Sequence, residues 1–189
     1  DFVVVPLVPA RRERYTKPEM LGEYTWRDER GRGWQYAPEA GGQPMLVEGP
    51  PMEAKDIVVP ERVEIDESRL EAIVHVVKEL GGTHFVFGRA PDGTFPWAET
   101  VGMEEYLIRM ATDPEFTTKT IAAALKASVA WIDAISDAGV DGILVGTDYC
   151  DNVGPLMGPR LFRQYVLPAF RETAKTVHAK DKYLVKHTD

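Results

Sequence analysis

With 189 residues, 44% hydrophobic and 28% charged, the chain has the composition of an ordinary globular domain long enough to bury a real core. Its 22 basic against 30 acidic side chains leave a net charge of −8, which argues against a nucleic-acid backbone as partner. No apolar run approaches the ~20 residues of a spanning helix, the first residues lack a signal peptide's basic region and cleavage site, and the single cysteine, Cys150, fits a reducing cytoplasm.

Residues 2–8 form a short β-branched run, read as a buried strand and followed at once by Arg11, Arg12 and Arg14. Tyr24 and Trp26, a turn at Arg30-Gly31, then Trp34 and Tyr36 alternate as a hairpin over residues 23–36. Residues 38–60 are rich in Gly and Pro and read as a loop, so residues 23–60 are expected to be an excursion from the main body. From Asp66, an N-cap, the period becomes helical, with Leu70, Ile73, Val74, Val77 and Leu80 on one stripe and Gly81 as the stop.

Residues 84–88 read as a second buried strand, emptying into a loop with Asp92-Gly93 and Pro96-Trp97. Residues 99–111 are helical in pattern, and Asp113-Pro114-Glu115 combines a cap, a first-position proline and an acid, starting a helix that Gly139 stops. That helix turns Ile121, Leu125, Ile132 and Ile135 inward, with Val129 or Ser128 between them. A third strand, residues 142–147, leads through an acidic loop, 148–157, to a helix from Gly158-Pro159 that buries Phe162, Val166, Ala169, Thr173 and Val177 and is disturbed by Pro168. Residues 183–187 are the last strand.

Strands alternating with helices make an α/β chain with parallel βαβ units. Four strands cannot close an eight-stranded barrel. The alternatives are an open sandwich or part of a (β/α)₈ barrel, and the absence of a terminating element at either end favours the second. Residues 1–189 are therefore expected to form one incomplete barrel domain.

Several segments resemble the uroporphyrinogen decarboxylase superfamily: Ala138-Gly139-Val140-Asp141-Gly142-Ile143, Thr147-Asp148, Gly154-Pro155-Leu156-Met157-Gly158-Pro159, Val166-Leu167-Pro168 and Lys186-His187-Thr188-Asp189. Asp113-Pro114-Glu115 and the hairpin around Asp28 and Trp34 are similar to it as well. The resemblance is strongest over residues 113–189 and weakens toward the start. It implies a (β/α)₈ barrel of which this chain is the middle portion. It also implies one of two activities. Decarboxylases of the family remove acetate carboxylates from a tetrapyrrole without a cofactor. Their relatives are zinc-dependent methyltransferases that work with corrinoid proteins, and in these a His-x-Cys at a strand end supplies two zinc ligands. The matching residues here are His187 and Asp189, so a carboxylate stands in place of the thiolate.

His187 and Asp189, two apart on an extended strand, face the same side ~6.6 Å apart along the chain. They suit a metal pair for Zn²⁺ or an acid/base pair, against the plainer reading of a strand end capping its loop. Asp148, at the end of its own strand, is a candidate for substrate orientation or proton transfer, against an Asx-turn acid. Tyr149 stands beside it as a substrate-binding candidate; Asp151 and Cys150 are weaker candidates, and Cys150 is as readily a packed side chain. Arg89 and Arg11 follow strands where guanidinium groups would meet substrate carboxylates, the alternative being a solvated basic loop. Trp97 would stack on a flat substrate or merely cover the rim. His75, His84 and His178 read as structural.

The favoured expectation is methyl transfer with a corrinoid partner protein, His187 and Asp189 holding a metal or the substrate. Decarboxylation of a tetrapyrrole, with no cofactor, is the alternative, and a barrel that only binds a corrinoid or tetrapyrrole is the third.

Overall fold

The computed structural model describes residues 1–9, 17–36 and 44–188. A parallel sheet has the order β1 (Phe2–Pro6), β6 (Phe85–Ala90), β7 (Gly142–Gly146), β8 (Tyr183–His187). An antiparallel sheet runs β2 (Glu19–Met20), β3 (Thr25–Arg27), β4 (Gly33–Tyr36), β5 (Pro44–Glu48). Helices α1 (Glu71–Leu80), α3 (Pro114–Asp137) and α5 (Leu167–Ala179) connect and cover the parallel strands, while α2 (Met103–Thr112) packs on α3. No helix among the described residues is long and apolar enough to cross a membrane.

Alternation along the strands decides what is buried. Val5, Val86, Ala90, Ile143 and Val145 meet Ile73, Ile132, Ile135 and Val177 from the helices in one core cluster. The opposite face carries Phe2, Phe85, Phe87 and Tyr183, with ring centroids of successive pairs 4.9–6.1 Å apart. These strands were expected to be buried throughout, yet Phe2 and Tyr183 are 70% and 67% exposed. The reason is that, among the described residues, helices cover one side of the sheet only. Gly142 belongs to the aromatic face, where an added Cβ would lie 2.5 Å from the ring of Phe87.

A second cluster, with Phe95, Tyr106, Met110, Phe116, Tyr149, Met157 and Val166, fills the space under the loops that leave β6 and β7. Asp113 caps α3 by accepting from the Phe116 amide at 3.0 Å. Ser128, not Val129, takes the buried position on α3, because its hydroxyl donates to the Pro91 carbonyl at 2.7 Å. The α2 helix starts at Met103 rather than 99, since the Thr100 and Gly102 amides both donate to Trp97 O and hold a turn there.

Pro168 has the local effect its missing amide dictates. A short α4 (Gly158–Leu161) opens into a π-helical turn, Phe162–Val166, in which the Leu167 amide reaches back to Phe162 O. Asp66 caps a 3₁₀ turn, Glu67–Leu70, ahead of α1. On α1, Ile73 is inside, but Val74, expected on the buried stripe, is 52% exposed. His75 and His178, read as structural, are exposed on their helices.

The hairpin forms as expected, with Trp26 opposite Trp34. β2 and β5 were not foreseen. β5 lies inside the stretch read as a loop, pairs with β4, and shows no burial alternation because it is exposed nearly throughout.

Asp28 holds the turn. Its carboxylate accepts from the Arg30 and Arg32 amides at 2.9 and 3.0 Å, the Arg32 guanidinium at 2.7 Å and the Trp34 indole at 3.0 Å. Burial opposes ionisation, but these donors outweigh it and bring the pKa from 3.8 down to about 2. The folded value lies below the unfolded one, so the turn's stabilisation is complete above about 4 and is lost as pH falls through about 2. Asp28→Asn is expected to remove this acid transition, read as the chemical shift of the Trp34 indole N–H on titration.

Candidate functional site

Strands β7 and β8 run in register, Gly146 opposite His187, so the two chains reach the carboxyl edge of the sheet together. Two residues past Gly146, Asp148 turns back toward β8, and its Oδ1 lies 3.5 Å from His187 Nε2. The side chains are 53% and 58% exposed, so a substrate can reach both. Gly146 packs against His187: an added Cβ would stand in ordinary van der Waals contact with the ring, 3.7 Å from its Cδ2.

Beneath this open pair is a closed polar network. Lys186 Nζ donates to Asp92 Oδ2 at 2.8 Å and to Thr147 O at 2.6 Å, and sits 3.9 Å above the centroid of the Tyr149 ring. The Lys186 and Asp92 side chains are only 12% and 2% exposed. Asp92 Oδ1 accepts from the Thr94 amide at 2.9 Å, and the Thr94 and Tyr149 hydroxyls share a hydrogen bond. Burial, reinforced by the charge of Asp92, raises the Tyr149 pKa, so the phenol stays neutral. The Tyr149 amide donates to Thr188 Oγ1 at 3.1 Å.

The expected site residues thus separate. His187 and Asp148 come together. Arg89 projects, by strand alternation, from the sheet face that carries His187, and is exposed. Tyr149 is 5% exposed and forms the floor under the pair. Trp97 is half-buried against the second core cluster. Asp151 Oδ1 accepts from the Val153 and Gly154 amides at 2.8 and 2.9 Å, which lowers its pKa and makes it the acid of a loop turn. Cys150 is half-buried and bridges to Pro155. Arg11, with Arg12 and Arg14, and Asp189 lie outside the described residues. A groove of about 980 Å³ between β5 and α2, lined by Glu48, Met52, Val101, Leu107 and Arg109, lies apart from the pair.

Lys186, Asp92 and Thr94 were not foreseen. A lysine next to last in a strand and an Asp-Gly turn are each commonplace, and only their meeting across the mouth gives them a role.

Zinc in an enzyme site takes three protein ligands. His187 and Asp148 offer one nitrogen and one oxygen, and no group of three or more His, Cys, Asp or Glu among the described residues is placed to hold a metal. The described residues alone do not complete a zinc site, and Asp189, the second ligand that the resemblance implies, lies outside them.

Residues 31–188 match the family model of uroporphyrinogen decarboxylase (URO-D), most of the chain. The chain belongs to this family. Among solved structures it is similar to a methyltransferase from Methanosarcina mazei, with a TM-score of 0.62 and 20% identity over 78% of this chain. The chain spans 43% of that protein's length. No curated protein matches. The fold is a partial (β/α)₈ barrel of the URO-D type, in which the described residues form a parallel sheet of four strands and do not close a barrel. In such barrels the carboxyl edge, where His187 and Asp148 meet, is the side that carries chemistry.

Removing one member of a buried ion pair leaves the other charge uncompensated. Lys186→Met is expected to cost about 3–5 kcal/mol. Neutralising both, in Lys186→Met/Asp92→Asn, should cost less, and urea unfolding of the two variants measures the difference.

Proposed function

We propose that this URO-D family chain takes part in methyl transfer from a corrinoid on a partner protein to a small acceptor, and that His187, backed by Asp148, takes the acceptor's proton. The observation that carries this is the pairing of the imidazole and the carboxylate at 3.5 Å, more than half exposed, on the carboxyl edge of adjacent parallel strands. A carboxylate beside a histidine stabilises the imidazolium that forms on proton uptake. As the acceptor is methylated its X–H bond breaks, the proton passes to His187 and the electron pair becomes the X–C bond. The corrinoid, when bound, would supply the methyl group without its bonding electrons and keep the pair of the cobalt–carbon bond that breaks. The likeness to a methyltransferase is consistent with this reading. Residues 1–189 would act as one incomplete barrel unit, with 23–60 as an excursion from it.

Decarboxylation of a tetrapyrrole is the second reading, favoured by Arg89 and the aromatic rings on the same sheet face as His187. There the guanidinium would pair with a side-chain carboxylate, and His187 would return a proton to the carbon that has lost carbon dioxide.

The test is to assay the protein with methylcobalamin and thiol or amine acceptors, and separately with uroporphyrinogen. Methyl transfer is expected, lowered about 10²- to 10⁴-fold in His187→Ala and less in Asp148→Asn. Carbon dioxide release from uroporphyrinogen without methyl transfer would replace the first reading with the second. Binding of corrinoid or tetrapyrrole with neither activity would leave a binding module.

A further inference from the structure

Asp148 and His187 are each a single residue between two tethered neighbours. On the β7 side these neighbours are Thr147 and Tyr149; on the β8 side they are Lys186 and Thr188. The tethers cross between the two sides. Lys186 Nζ donates to Thr147 O at 2.6 Å, and Thr188 Oγ1 accepts from the Tyr149 amide at 3.1 Å. The first tether is anchored in depth, because the same ammonium is held by buried Asp92 and lies over the Tyr149 ring. Past Gly146 and His187 the ladder between the strands has ended, so backbone pairing no longer sets how the two chains lie. Side chains take over that work.

We infer that Lys186 and Thr188 are positioning residues that clamp Asp148 opposite His187. The inference rests on the proposal that this pair does the chemistry, and it adds what keeps two exposed side chains within reach of each other. Neither residue need touch substrate: Lys186 is turned into the floor, and Thr188 acts through the Tyr149 amide. Misplacing a reacting group by about 1 Å lowers rates by as much as about 100-fold, so such a clamp has a measurable effect.

Thr188 is exposed, which makes it the variant least apt to disturb folding. In Thr188→Val the hydroxyl acceptor is replaced by a methyl of the same shape; in Thr188→Ser it is kept. Hydrogen exchange of the Tyr149 amide should speed up about tenfold in Thr188→Val and return to the native rate in Thr188→Ser. Crystal structures should show the His187–Asp148 separation widened beyond 3.5 Å in Thr188→Val and in Lys186→Met/Asp92→Asn. Turnover should fall on the order of tenfold in both with KM little changed, and Thr188→Ser should restore it. Unaltered Tyr149 exchange in Thr188→Val, or faster exchange with the separation unchanged, overturns the clamp. Exchange and geometry are read without any assay. If His187→Ala keeps full turnover while the clamp variants behave as described, it is the proposed chemistry that fails and not the clamp.

Discussion

Parallel pairing of β7 with β8 is the constraint from which the site follows. In the observed register Gly146 faces His187, and the strands stop level with each other. A shift of one residue would turn His187 toward the helices and Lys186 toward the open face, since side chains alternate sides. The register is held from the helix side, where Ile143, Val145 and Val177 are fully buried in the core shared with α3 and α5. Apolar packing on one face of the sheet therefore decides where polar groups appear at its edge.

The Lys186–Asp92 pair is a costly way to close that edge. Both charges are taken out of water, and their attraction offsets the desolvation only because each is hydrogen-bonded further, to Thr147 O on one side and to Thr94 on the other. Two apolar side chains would fill the space with less penalty. What they would not do is tie the loops after β6 and β7 to β8 at set distances. The open pair and the closed network are two layers of one arrangement, the upper wet and accessible, the lower dry and rigid.

Much of the fold was legible in the chain. Helical periodicity with Asp113-Pro114 in front placed α3, the apolar runs placed the four parallel strands, and Trp26 and Trp34 placed the hairpin, because each signal is local. β5 was missed, since a strand exposed on both faces has no alternation to detect and sits among prolines and glycines. Val74 was placed inside by its spacing, but α1 packs on β1 and β6 through the face that carries Ile73, and Val74 lies off that face, so the helix buries a narrower stripe than its sequence offers.

By itself the sequence determined the main helices and the four strands of the parallel sheet, and that His187 and Asp148 stand where two of those strands end. Those properties depend on residues a few positions apart. The tertiary structure alone decided that His187 and Asp148 lie 3.5 Å apart, that Tyr149 is buried beneath them, and that Lys186 finds Asp92 across 94 residues of chain. Such contacts arise from how helices and strands stack and from which charges can be paired once water is excluded. Neither depends on nearness along the chain.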